Sequence, residues 1–435
     1  MSGQALRLER LQQFLAALPD YVILRNHDVL AHLESGGDID VLVGDIELSQ
    51  RLLLRHFGCP VWLAKRSYGT SYFYPWGHID LVSSLEWRGA VYLANADVFA
   101  QSTLSPLGLR QPRLAHEALV SWLTSVLWGR FFKERYRATI LRAAREDGAA
   151  LLRALCDAVG NPWGECLMNA VLRGEPELAA THVWALRRHV VTMAMKRAAW
   201  HTVFRHAMFW YCEIKLRFTP LVPWIAILGP DGSGKSTLID GLASRLHGTF
   251  SRVERGHWRP GILWNRNVPQ DVIAAPQQQV PRTRAASVAK LGLFLLDWWL
   301  WYFFRWFPAR AKGRIFVFDR CFIDILVDPM RYRYGGLAAW SVWLARVLPQ
   351  PDRIFILDVA PEKILVRKRE LSAEALLRLR QSYGELPKLF GNAVIIDASV
   401  NVESVADDVA ARVIAFSTQR TAARLGDVHG AVDAN

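Results

Sequence analysis

Apolar and polar positions follow three different rhythms along this chain, and the changes of rhythm divide it. Over residues 1–110 one helix-like stretch is followed by short strand-like runs, "YVILRN", "DIDVLV", "VWLAK", "SYFYPW" and "HIDLV". The opening segment, "MSGQALRLERLQQFLAALPD", carries charges among its apolar positions and predicts an amphipathic helix, with no signal-peptide pattern. Over 111–220 apolar residues return every three or four positions, as in "HEALVSWLTSVLWGRFFKERYRATILRAAR", with Gly160, Pro162 and Gly174 as breaks. That region is predicted to be helical almost throughout. From Pro223 onward strands alternate with helices.

Strand candidates in this last region span 224–228, about 252–257, 314–318, 353–357 and 393–397. They read as apolar runs buried on both faces of a parallel sheet. The predicted class is α/β: a doubly wound parallel-sheet domain over 221–417, an α+β domain over 1–110, and a helical middle region over 111–220. A doubly wound sheet binds its ligand at the carboxyl ends of its strands. The polar stretch "GILWNRNVPQDVIAAPQQQVPRTR" is too long for an idle connection and suits either a substrate-covering loop or a disordered segment. Residues 418–435 read as a disordered tail. No internal repeat is present.

The most apolar stretch, "LGLFLLDWWLWYFFRWF" at 291–307, is interrupted by Asp297 and Arg305 and is shorter than the roughly 20 residues a spanning helix needs. It suits a helix buried against a sheet or an aromatic helix lying at a membrane surface, and the 18 tryptophans keep the second reading open. The segment "LRRHVVTMAMKRAAWHTVFRHAMFWYCEIKLRF", basic and aromatic, could also face anionic lipid. Its His189, His201 and His206 form no metal motif.

A length of 435 residues suggests two or three domains, and 51% hydrophobic residues is ample for packed cores. A formal net charge of +13 implies acidic partners, among which nucleotide phosphates, anionic lipid and nucleic acid all qualify. No nucleic-acid recognition motif appears, so nucleic acid is not an expected partner. Five scattered cysteines, without metal-ligand spacing, suit a reducing cytoplasmic setting. Peripheral contact at the inner membrane surface and homodimerisation both stay open.

The chemistry concentrates in "GPDGSGKSTL", residues 229–238. Gly229, Gly234, Lys235 and Ser236 have the spacing of a glycine-rich phosphate loop, in which backbone amides approach an anion closely. An apolar strand run precedes it, and Leu238, Ile239, Leu242 and Leu246 follow at helical spacing. The helix N-terminus then adds its partial positive charge. Lys235 would reach the β and γ phosphates and Ser236 would bind Mg²⁺. "FDR" ends the third strand candidate, so that Asp319 could hold Mg²⁺ and Arg320 could grip phosphate. A plain strand-end salt bridge is the alternative there. Downstream, Arg367, Lys368, Arg369, Arg378 and Arg380 form either a solvated basic face or a lid that closes over the moving phosphoryl group.

Taken in order, "GPDGSGKST", "FDR", "LDVAPE" with its arginines, "RQSY" and "VIIDAS" resemble the thymidylate kinases and their nucleoside monophosphate kinase relatives, over about 190 residues. The resemblance implies an ATP- and Mg²⁺-dependent phosphotransferase. The nucleotide would be held by Gly229, Pro230, Asp231, Gly232, Ser233, Gly234, Lys235, Ser236 and Thr237. It further implies that Asp231 sits near the acceptor, that Arg320 contacts phosphate, that Arg367, Arg369 and Arg380 belong to the lid, and that Asp397, Ala398 and Ser399 lie beside adenine. Where thymidylate kinases carry an Arg-Glu-Pro turn this chain has "HWRP", and where they carry Asp-Arg it has "DWW". Those departures argue against thymidylate itself. With "DILVDPMRYRYGG" they resemble bacterial thymidylate kinase-like proteins that often accompany polysaccharide biosynthesis, which makes Arg259, Asp297, Arg331, Tyr332 and Arg333 the acceptor candidates, a plain basic turn being the alternative for the last three. The implied partners are a nucleotide and a small nucleotide or sugar-type acceptor.

A second site is suggested by "SGGDIDVLVGD" and "GHIDLV". Residues two apart on a strand share a face, so Asp38 and Asp40 project together, and Asp80 offers a third carboxylate for metals that position a triphosphate. This arrangement resembles the nucleotidyltransferase fold over about 100 residues. The glycine pair of that family is displaced, since Gly36 and Gly37 abut Asp38 and the earlier slot holds "LRNHD". Nucleotidyl transfer and a degenerate substrate-binding module both remain open, and so does a non-catalytic, nucleotide-gated scaffold at the membrane surface.

Overall fold

The computed structural model describes residues 3–25, 37–219, 221–258, 261–263, 284–329, 331–332, 338–367 and 371–432. Arg259, Arg333, Lys368 and Arg369 lie outside the described residues, as do Gly36, the end of "LRNHD" and most of the polar stretch at 261–284. The chain divides into two compact units, Met1–Leu216 and Arg217–Asn435.

In the first unit, strands β1 (Tyr21–Ile23), β2 (Gly37–Val43), β3 (Trp62–Arg66), β4 (Gly69–Tyr74) and β5 (Gly77–Val82) form a mixed sheet in the order β1-β2-β5-β4-β3. Only β2 and β5 run parallel. Two further hairpins pair β6 (Leu85–Trp87) with β7 (Ala90–Leu93) and β8 (Thr103–Leu104) with β9 (Arg110–Gln111). The two-residue period sorts the sheet's faces. Ile39, Val41, Val43, Ile79 and Leu81 pack under the helices Gly3–Ala16 and Ile46–Phe57. Leu42 and Val82 turn the other way, towards the helices of the middle region. Asp45 caps the second of those helices by accepting from the amides of Glu47 and Leu48, which satisfies two of its free donors.

The middle region is not a separate body. Its helices Leu114–Thr124, Arg137–Glu146, Gly148–Val159 and Asn161–Leu172 share one core with Val22, Leu24, Leu42 and Leu85. The boundary expected at residue 110 is corrected accordingly. A long final helix, Val183–Phe218, is broken at Ala198, whose φ of −156° and ψ of 79° leave the helical region.

In the second unit β10 (Trp224–Leu228), β11 (Arg252–His257), β12 (Arg314–Asp319), β13 (Arg353–Asp358) and β14 (Ala393–Asp397) form an all-parallel sheet ordered β11-β12-β10-β13-β14. The central strand "WIAIL" is buried along its whole length, as expected. β11, "RVERGH", is not an apolar run: it is an edge strand, half-buried to exposed, so its charges reach water. The helix Lys235–Arg245 lies against the helix Val402–Val432, close enough that a Cβ on Gly241 would meet Ala406 at 3.2 Å. That second helix overturns the disordered tail expected from residue 418: it runs through residue 432, with Ser417 and Thr421 fully buried.

The stretch 291–307 is a helix, Arg284–Trp301, followed by a wider π-type turn at Tyr302–Trp306. One face is buried against the sheet, with Trp298 and Trp301 at 5.5 and 4.9 Å from the Trp224 ring. Leu293, Leu296, Phe303 and Phe304 stay exposed on the other. Among the described residues no helix is long and apolar enough to cross a membrane. Trp298 is 2% exposed and packs edge-on to Trp301 and tilted to Phe318. Trp298→Ala should therefore destabilise this unit by about 3–5 kcal/mol. Hydrogen exchange of the β10 and β12 amides, which reads this unit alone, checks the loss.

Candidate functional site

β10 ends at Leu228 and the chain turns at once into the glycine-rich loop. Gly229 has φ +150°, and a Cβ there would sit 2.9 Å from the Ser233 hydroxyl oxygen. Gly234, at φ +92°, caps the helix Lys235–Arg245. Both positions suit glycine because a side chain would be strained or obstructed. The loop thus delivers a helix N-terminus to the carboxyl end of the central strand, the place an anion would occupy.

Lys235 folds back over this loop. It is buried, and its Nζ donates to the carbonyls of Gly229 (3.0 Å) and Pro230 (2.8 Å) while lying 3.7 Å from Asp231 Oδ1. Burial, and after it Arg320, pushes the ammonium down to about 8, with Asp231, Asp319 and Asp324 opposing. Asp231 is gripped by two guanidiniums: Arg320 Nη2 donates at 2.8 Å, and Arg331 Nη1 donates to its other oxygen. Burial alone would raise the Asp231 carboxyl; Arg320, Lys235 and Arg331 reverse that and hold it well below the usual carboxylate range.

Arg320, expected to grip phosphate, is instead taken up by protein partners. Only 3% exposed and left-handed at φ +66°, it donates through Nη1 to Asp324 (2.5 Å) and to the Tyr383 hydroxyl (3.1 Å). Asp324 also accepts from Tyr332 (2.6 Å) and Tyr383 (2.5 Å). Burial would raise this carboxyl as well, but Arg320 and the two tyrosines lower it. Asp324 and Tyr383 are not candidates from the sequence, although they sit inside "DILVDPMRYRYGG" and "RQSY", whereas Tyr332, an acceptor candidate there, is buried with its hydroxyl donated to Asp324.

Strand ends supply the rest of the rim. Asp319 closes β12 in register with Ile227 of β10 and with His257 of β11. Its Oδ1 is buried without a hydrogen-bond partner among the described residues. Burial lowers the neighbouring His257, and Asp319 counteracts. Ser236 and Thr237 are exposed on the first turn of the helix after the loop. A free carboxylate oxygen and an exposed hydroxyl are the kind of oxygen donors Mg²⁺ takes alongside water and phosphate, so Asp319 and Ser236 fit such an ion.

Of the lid candidates, Arg367 lies over the loop with Nη1 3.5 Å from the Gly232 carbonyl. Arg380 is engaged instead by Asp358 at the end of β13, with bonds of 2.5 and 2.8 Å. Asp397 accepts from the Ser399 amide (2.9 Å), and Ala398 N donates to Asp358 O (2.9 Å), which sets that turn beside β13. Asp297 departs from expectation. Its carboxylate accepts the amides of Gly261, Ile262 and Leu263 at 2.8–2.9 Å and is 1% exposed, so it pins a backbone turn and does not reach an acceptor.

In the first unit Asp38, Asp40 and Asp80 share the sheet face expected of them, with Asp40 aligned to Asp80 across β2 and β5. Asp40 and Asp80 border a cavity of about 330 Å³, whose wall also includes Arg25, Arg66, Glu86 and Trp128. Arg25 clasps Asp40 with both Nε and Nη2, a partner the sequence reading missed. Asp40 is thus spent on a guanidinium and not offered to a cation. No group of three His, Cys, Asp or Glu side chains suited to a metal occurs among the described residues. Burial, then Asp40, pushes Asp80 up to about 6.

No protein-family model matches the chain, and no curated protein matches it.

An acid whose folded pKa is raised favours the fold fully below its unfolded value near 4, and that contribution is lost as pH rises to about 6. Asp80→Asn should thus stabilise the first unit above pH 6 by on the order of 2 kcal/mol, with the gain vanishing towards pH 4. Hydrogen exchange of the β2 and β5 amides across that range reads the difference.

Proposed function

We propose that this protein is an ATP-dependent phosphotransferase of the thymidylate kinase-like type, acting on a small nucleotide or sugar-type acceptor at the carboxyl ends of β10 and β12. The observation that carries the reading is the loop 229–234 between the buried central strand and the helix Lys235–Arg245, with Lys235, Arg320, Arg331 and Arg367 ranged around it.

Phosphoryl transfer needs positioning and charge stabilisation more than covalent help from the protein. The backbone amides at the helix N-terminus and the Lys235 ammonium suit the phosphates, and Lys235 gives up two carbonyls to reach them. Arg331, one quarter exposed, and Arg367 stand where charge on a transferring group would be met. Asp231, kept ionised by the cations around it, is too weak a base to take a proton but could accept a hydrogen bond from an acceptor hydroxyl. Asp319 and Ser236 would hold Mg²⁺, which would supply positive charge against the phosphates. Arg320 is a positioning residue: its bonds to Asp231 and Asp324 fix the loop against β12.

A second reading, nucleotidyl transfer at Asp38, Asp40 and Asp80, draws support from the alignment of Asp40 with Asp80; the Arg25 clasp on Asp40 weighs against it. Products separate the two, since a kinase releases ADP and a nucleotidyltransferase releases pyrophosphate. With Mg·ATP and a mixture of phosphorylated and free sugars and nucleosides, Lys235→Ala should cut ADP release roughly 10²–10³-fold, while Asp38→Asn leaves it unchanged. Pyrophosphate release lost on Asp38→Asn would reverse the assignment.

A further inference from the structure

The last helix of the first unit has two faces of opposite character. Its inner face is anchored. Arg205 donates to the buried Glu86 at 2.6 Å, Arg66 donates to Glu213 at 3.3 Å, and His206 Nδ1 lies 2.8 Å from the Arg88 carbonyl. Phe209 is 4% exposed, and the backbone at His206 comes so close to Gly89 that a Cβ there would sit 2.4 Å from its nitrogen.

The outer face is apolar at helical spacing. Trp200, Phe204, Met208, Tyr211 and Ile214 recur three or four residues apart, with Val203 beside Phe204, and the large aromatics among them, Trp200, Phe204 and Tyr211, are 87, 64 and 56% exposed. A contiguous stripe of this kind is more than the scattered exposed apolar residues normal for a protein surface. Its charge environment is one-sided. Between 183 and 217 the chain has seven basic residues against Glu213 alone, and with Arg187 buried on the Leu127 carbonyl and Arg205 tied to Glu86, Arg188, Lys196, Arg197, Lys215 and Arg217 remain. Glu213 lies on the anchored side, paired with Arg66, so the only acid of the segment is turned away from the stripe. Arg188, Lys196 and Arg197 are exposed.

We propose that this stripe docks the protein on an anionic lipid surface, with Trp200, Phe204 and Tyr211 entering the interface and the neighbouring basic residues meeting acidic headgroups. Aromatic and aliphatic residues on one helix face, beside lysine and arginine without acids, are the composition of a helix that lies in the plane of a bilayer surface. A protein groove would meet such a stripe with apolar contacts but has no need of the one-sided charge. Because the helix is already fixed on its inner face, the docking face is preformed.

The test is co-sedimentation of the full chain with phosphatidylglycerol-containing vesicles against pure phosphatidylcholine vesicles. Wild type is expected to pellet with the anionic vesicles, and less at high salt as the charges are screened. The triple variant Trp200→Ser, Phe204→Ser, Tyr211→Ser should lose roughly tenfold or more of that partitioning. Lys196→Glu with Lys215→Glu, at the two ends of the stripe and leaving it intact, should weaken binding to the anionic vesicles alone and guards against misfolding of the triple variant. Phe303→Ser with Phe304→Ser, on the second unit, should bind like wild type. Wild type that stays in the supernatant overturns the proposal, as does binding lost only with Phe303 and Phe304. A wild-type dimer in sedimentation velocity that the triple variant dissociates, with no vesicle binding, would assign the stripe to a second copy of the chain instead.

Discussion

The second unit turns on one buried ionic arrangement, the grip of Arg320 on Asp324 and Asp231. A guanidinium only 3% exposed is tolerable because its donors reach carboxylates and a tyrosine hydroxyl, and because the carboxylates in turn have further partners. Removing one member would leave an uncompensated charge inside, which in buried pairs costs about 3–5 kcal/mol. The arrangement joins four separate pieces of chain: the glycine-rich loop through Asp231, the end of β12 through Arg320 itself, the segment after it through Asp324 and Tyr332, and the helix Ala373–Leu389 through Tyr383. Its left-handed φ of +66° at a non-glycine residue is backbone strain that these bonds hold in place.

Such a network couples loop shape to charge. Asp231 is held by the same cations that an incoming phosphate would attract. Under the phosphotransferase reading, an anion near Arg331 therefore competes with Asp231, whereas Arg320 stays tied to Asp324 inside the core. The two arginines divide the work by exposure: Arg331 is one quarter exposed and can exchange partners, while Arg320 cannot do so without unpairing a buried carboxylate. Lys235 sits between these extremes. Its partners are carbonyls of its own loop, whose neutral bonds are given up more cheaply than an ion pair.

What was legible in the sequence follows from how local each cause is. Two-residue alternation in "DIDVLV" foretells that Asp38 and Asp40 share one face of β2, and the apolar runs at 224–228, 314–318 and 353–357 foretell the middle of the parallel sheet. Glycines at 229 and 234, followed by helical periodicity, foretell the loop and helix start. Partnerships made across the fold were not legible. Asp297 reads as a candidate acceptor contact, yet its carboxylate is consumed by amides 35 residues away. Arg25 gives no sign in sequence of clasping Asp40, and Arg380 none of pairing with Asp358. The edge strand "RVERGH" has too many charges to resemble its neighbours, because an edge leaves room for them. The terminal helix was missed for a different reason. Its polar composition after residue 417 suits a frayed end, but buried Ser417 and Thr421, with Arg420 donating to Asp352 at 2.5 Å, tie it to the unit.

The two units handle like charges in opposite ways, and this difference separates their chemistry. Around Asp231 three cations overcome burial, so the carboxylate stays charged. Around Asp80 burial and Asp40 prevail over His78 and Arg66, and the carboxyl is pushed towards its neutral form. A metal-dependent triphosphate site needs its aspartates ionised and open to a cation. The first unit offers one aspartate spent on Arg25 and another, Asp80, whose charged form is disfavoured by burial and by Asp40. Asp80 Oδ1 and, in the second unit, Asp319 Oδ1 are both buried without a hydrogen-bond partner among the described residues, so what sets the second site apart is the cluster of cations beside its glycine-rich loop. Under the phosphotransferase reading this favours the carboxyl ends of β10 and β12, whereas the cavity beside β2 and β5, with Asp40 held by Arg25, better suits a ligand that brings hydrogen-bond donors than one that brings a metal.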